Sequence, residues 1–144
     1  MMALYSANAV GTYSLIGFTY PTSSNGTIGT QPVTGSLTAN FGGVYPAYPN
    51  VNVTLGVPIG GNNFSISGSA SLCPTCTGTN DRHPATFNGS GSVSGGGMTS
   101  GYANINGLFV GPGASRAGLV YQFDTSSATA PIGTVSGAAA FAKN

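Results

Sequence analysis

From Ser36 to Phe141 the chain alternates apolar residues with Ser, Thr, Asn or Gly, and Gly, Asn or Pro interrupts every run. Alternation with period two buries one face of a strand and leaves the other to water. Val51, Val53, Leu55 and Val57 point one way, with Asn52 and Thr54 opposite them. Phe64, Ile66, Gly68, Ala70 and Leu72 repeat the pattern after a Gly60-Gly61-Asn62-Asn63 turn. The same texture predicts strands over Val33–Phe41, Phe87–Val93, Ala103–Phe109, Ala117–Phe123 and Val135–Phe141. Val10–Tyr20 is an opening segment of mixed faces, ended by Pro21 and an Asn25-Gly26 turn signal. Eight strand-like segments result, and no helix-length element competes with them.

Evenly spaced short strands indicate a sandwich or a barrel. The inward faces favour the barrel, because they mix Phe, Ile, Leu and Val with Gly68, Gly89, Gly91, Gly107 and Gly137. Large and small residues together fill a narrow, tapering interior and let its strands coil tightly. Closure also removes unpaired edges, which a chain with so few lysines could not otherwise protect. The expected fold is all-β: a small, soluble, eight-stranded antiparallel up-and-down barrel filled by its own side chains, one domain spanning residues 1–144. A transmembrane barrel is not expected. Its outer face must be apolar, whereas Asn40, Asn52, Asn104 and Gln122 fall on the outward side.

Charge narrows the function classes. Only 3% of residues are charged, against roughly 25% in ordinary soluble proteins. A net charge of +1 gives no field to draw in phosphates, so nucleic acid is not an expected partner. With 40% hydrophobic and 10% aromatic residues there is nonetheless material for a core. Solubility resting on hydroxyls and amides suits an exported or surface protein. No apolar run reaches the roughly 18 residues of a spanning helix. Met1–Asn8 lacks a basic start and an apolar stretch, so the chain reads as a domain excised from a larger exported protein.

Candidate sites are few. Cys73 and Cys76 form a C-x-x-C pair that could be a local disulfide, half a zinc site or free thiols. The disulfide, clamping a loop in an oxidising compartment, is the reading preferred here. Asp81, Arg82 and His83 are the densest titratable cluster, either the tip of a binding loop or a solvated turn. Tyr45 and Tyr48, beside Phe41 and two prolines, offer a rigid aromatic surface or a plug for one end of the barrel. Catalysis is not expected, since two carboxylates and one histidine allow few acid–base constellations. No cofactor or metal is expected.

The C-terminal half resembles a known family. The segments are Gly107-Leu108-Phe109-Val110-Gly111-Pro112-Gly113-Ala114, Ala117-Gly118-Leu119-Val120-Tyr121 and Ile132 to Phe141. They are similar to the closing strands of the β-barrel domains in transferrin-binding protein B-like surface lipoproteins, and Gly35–Phe41 resembles an earlier strand of that pattern. The resemblance implies an eight-stranded barrel displayed by Gram-negative bacteria, beside a separate domain that binds protein or haem. This chain shows no such domain and no lipidation cysteine near Met1, and its C-x-x-C loop is outside the pattern, so no binding residue is carried over. The expected function is a non-enzymatic surface or exported module for protein recognition or structural support. A haem or lipid carrier and a filament or adhesin subunit are the alternatives.

Overall fold

A computed structural model describes residues 9–42, 49–72 and 85–144. Nine strands follow one another: β1 (Val10–Phe18), β2 (Thr22–Ser23), β3 (Thr34–Asn40), β4 (Asn50–Ile59), β5 (Asn62–Ser71), β6 (Thr86–Ser94), β7 (Tyr102–Val110), β8 (Arg116–Asp124) and β9 (Thr134–Lys143). Each long strand pairs antiparallel with the next, and β1 pairs with β9, so the sheet closes on itself. Among the described residues this is an up-and-down barrel of eight long strands with one short extra strand. The expected all-β, eight-stranded antiparallel barrel is therefore the observed fold.

The extra strand continues the first. β1 carries a bulge at Ile16, where the register against β9 shifts between Leu15 and Gly17. The chain then bends through Thr19–Pro21 and rejoins β9 as Thr22 and Ser23. Bulges bend a strand and re-aim its side chains. The path has a definite stagger. Stepping from partner to partner from Tyr13, through Leu37, Gly68 and Phe123, returns to the first strand at Ser23, ten residues beyond position 13. Such a stagger tilts the strands and fixes the width of the barrel.

Alternation turned the residues as expected. Val51, Val53, Leu55 and Val57 are buried, and Asn52 and Thr54 are exposed. Phe109 is the hub of one half of the interior, its ring centroid 5.2–5.5 Å from those of Phe41, Phe87 and Tyr13. Phe64 and Phe123 meet at 5.3 Å in a second aromatic contact. The glycines between are required by close approach. A Cβ on Gly91 would lie 2.7 Å from the Cα of Gly68, and one on Gly68 would lie 2.6 Å from Cδ1 of Ile105. The Gly68–Gly91 pair therefore leaves no room for a side chain on either strand.

Loops tie off one end. Thr125 Oγ1, fully buried, donates to the Gly133 carbonyl at 2.7 Å and accepts the Ile132 N–H at 2.9 Å. The Thr129 N–H donates to the Gly96 carbonyl at 3.0 Å, joining the β8–β9 loop to the β6–β7 loop.

Candidate functional site

Cys73, Cys76, Tyr45, Tyr48, Asp81, Arg82 and His83 all lie outside the described residues. Phe41, on the edge of the aromatic stretch, is buried against Phe109 and belongs to the core. Among the described residues no group of three His, Cys, Asp or Glu side chains is placed to hold a metal ion.

The interior holds two buried tyrosines with different surroundings. Tyr13 donates its hydroxyl to the Ala114 carbonyl at 2.9 Å. Tyr121 lies across Gly137, where a Cβ would sit 2.6 Å from its Cζ, and its hydroxyl has no hydrogen-bond partner among the described residues. Burial raises both phenols to about 12, because the phenolate would lose its hydration. Neither has an acid or base beside it among the described residues. These rings pack the barrel.

The outer wall is divided. On β5 and β6 the outward positions are Ser65, Ser67, Ser69, Ser90, Ser92 and Ser94, all exposed. On the neighbouring strands outward side chains pair with one another, Ser36 on β3 with Thr54 on β4 at 2.9 Å and Asn88 on β6 with Asn106 on β7 at 2.7 Å. From β7 round to β1 the outward positions change character. Leu108, Val110, Val120, Ile16, Phe18 and Tyr20 are exposed there, between 37% and 54%. The floor among them is made of Gly118, Ala138 and Ala140, which raise no more than a methyl group above the sheet. Large residues flanking small ones make a trough.

Two clefts occupy that trough. One, about 610 Å³, lies between Leu108 on β7 and Phe18 on β1, over Gly118 and Ala140. The other, about 460 Å³, lies between Asn104 and Tyr20, over Gln122 and Ser136. They share Thr19, Asn106, Val120 and Ala138, a row that crosses the trough at its middle. The row is continuous in the sheet: Asn106 pairs with Val120, Val120 with Ala138, and the Thr19 N–H donates to the Ala138 carbonyl at 3.0 Å. Phe18 and Tyr20 meet edge to face at 5.5 Å and form one wall.

Among the described residues, the charges of this band are Arg116 and Asp124 at the two ends of β8 and Lys143 at the end of β9. Arg116 opens β8 and Asp124 closes it, both exposed. Ser126 holds the Asp124 carboxyl below its ordinary value, through its side chain and through a backbone N–H that donates at 2.7 Å. Asp124 is therefore an anion at neutral pH.

The sequence reading treated the outward face as Ser, Thr, Asn and Gln throughout. That description fits β3 to β6 and misses the apolar band. A local signal existed, since the outward half of the alternation turns apolar at Leu108, Val110, Val120, Ala138 and Ala140. Local pattern could not join it to Ile16, Phe18 and Tyr20, which arrive through the β1–β9 closure. Comparison with family models, with curated proteins and with solved structures finds no match to this chain.

Proposed function

We propose that the chain is a non-enzymatic barrel module of an exported or surface protein, and that it works by docking to protein through the band from β7 to β1. The division of the outer wall is the observation that carries this reading. One side is covered by hydroxyls and amides that water satisfies. The other exposes a trough whose half between Leu108 and Phe18 is apolar, a surface that monomers rarely carry without a use. Among the described residues all eight long strands are paired on both sides and only the two-residue β2 ends the sheet, so docking proceeds through side chains rather than by strand addition. The packed interior, with Phe109 and Phe123 at the centres of its aromatic contacts, favours this reading over a carrier of haem or lipid. The resemblance to surface-lipoprotein barrels agrees with export and adds no partner.

Mass spectrometry tests the reading. Native spectra of the purified protein should show the bare chain. The denatured chain should gain a pair of hydrogens on reduction, as an exported protein with a Cys73–Cys76 bridge requires. A hydrophobic dye should bind the native protein and lose most of its signal in Val120→Glu. A small molecule retained through native spraying would overturn the docking reading in favour of a carrier.

A further inference from the structure

The two ends of β8 carry charges that complement each other under a twofold. Val120 stands midway along β8, with Arg116 four residues before it and Asp124 four residues after it. Take a twofold axis along the row Thr19–Ala138–Val120–Asn106, and lay a second copy face to face with strands antiparallel. Arg116 of one copy then stands over Asp124 of the other, and the reciprocal pair forms at the far end. Eight residues of strand separate these charges, about 27 Å at the usual rise. The parallel arrangement would instead set Arg116 over Arg116 and Asp124 over Asp124. The charges of β8 therefore select the antiparallel dimer.

Other outward residues match about the same row. Phe18 precedes Thr19 and Tyr20 follows it, so each Phe18 faces a Tyr20 of the second copy. On β7, Val110 lies beside Arg116. Tyr102, at the other end of that strand and 78% exposed, is one step beyond the Ala103–Phe123 pair. The rotation brings Val110 over Tyr102. Gly118 falls opposite Gln122, a hollow opposite a long side chain, while Leu108 and Ala140 fall opposite the polar Asn104 and Ser136.

The area is sufficient. Ile16, Phe18, Tyr20, Leu108, Val110 and Val120 present on the order of 600 Å² to solvent, at the upper end of the largest patch on a typical monomer. With the glycine and alanine floor this approaches the roughly 800 Å² per partner of a standard interface. A net charge of +1 offers little repulsion between copies.

We infer that the band from β7 to β1 binds a second copy of this chain, in an isologous antiparallel dimer that pairs Arg116 with Asp124 across a twofold at Val120. This inference rests on the docking reading above and names its partner.

Sedimentation velocity over a concentration series tests it. The parent protein is expected to pass from monomer to dimer with a dissociation constant of about micromolar order, the weak end for such an area. Arg116→Asp and Asp124→Arg should each weaken the dimer at least tenfold, because each variant opposes like charges twice. An equimolar mixture of the two should recover parent affinity, since both pairs in the mixed dimer are then opposite in sign. Val120→Arg should be monomeric and should keep the unfolding midpoint that the parent shows when diluted below its dissociation constant, which covers the case in which position 124 disturbs its own loop. A parent that stays monomeric throughout overturns the inference, and the dye and mass measurements still judge the docking reading separately. A dimer indifferent to these variants, or two single variants that do not recover on mixing, overturns it equally.

Discussion

The wall formed by β3 to β6 and the wall formed by β7, β8, β9 and β1 share one interior and one alternation, yet they present different surfaces. In both, the inward half is Val, Ile, Leu, Phe, Ala and Gly, with Tyr13 and Tyr121 added in the second. Outward, the first carries Ser67, Ser69, Ser90 and Asn52, and the second Leu108, Val120, Phe18 and Tyr20. Folding selects only the inward half. The outward half is free to differ, and where it turns apolar in one contiguous region folding does not account for it. The barrel separates what stabilises the molecule from what the molecule presents.

The comparison breaks most readily at the shared interior. Phe109→Ala removes a ring that touches Tyr13 on β1, Phe41 after β3 and Phe87 on β6, so it reaches both walls. It should destabilise by about 3–5 kcal/mol, read from a denaturant midpoint. Amide exchange should rise in both walls together. Loss of protection in one wall alone would mean that they are not one cooperative unit.

The two tyrosines behind the apolar wall sharpen the comparison. Tyr13→Phe loses the hydroxyl bond to the Ala114 carbonyl and should cost about 1 kcal/mol. Tyr121→Phe removes a hydroxyl that has no partner among the described residues and should be neutral or mildly stabilising. Both phenols hold their protons to about 12 in the folded chain and release them near 10 when unfolded. Stability from this source is complete below pH 10 and is lost as pH rises through about 12, since there the unfolded chain binds fewer protons. The double phenylalanine variant should flatten that alkaline decline in thermal melts.

The smallest effect lies on the surfaces themselves. Leu108→Ser and Ser67→Leu exchange the character of one outward position on each wall. Each should change folding stability by no more than about 0.5 kcal/mol. Dye binding should fall in the first and rise in the second. A large stability change in either would show that the outward residue takes part in packing.

Much of the interior was legible in the sequence. Val51 to Val57 and Phe64 to Leu72 alternate so regularly that facing and strand adjacency followed, and the observed register sets Val53 against Gly68. The turn between them is shorter than the sequence suggests, because Asn62 and Asn63 pair with Ile59 and Pro58 and leave only Gly60-Gly61 outside the strands. Val10–Tyr20 was less legible, because the bulge at Ile16 breaks the period at that point. Thr22–Ser23 was read as part of a turn. Two residues carry no periodicity, and only pairing with Val135 and Ser136 makes them a strand. The expected site residues clustered where alternation stops, since chemistry in a chain of strands is sought in its irregular places. The apolar trough arises instead within regular strands.

Period-two alternation by itself determined that the chain forms strands, which residues face inward, and that glycine stands where strands crowd. These are local properties, settled by the direction in which successive side chains leave a pleated backbone. Which outward residues become neighbours was decided by tertiary structure alone. Closure of β1 on β9, with its ten-residue stagger, sets Phe18 and Tyr20 beside the trough over Gly118, Ala138 and Ala140. That adjacency depends on hydrogen bonding between residues more than a hundred positions apart, such as Thr19 and Ala138, and no window along the chain contains both.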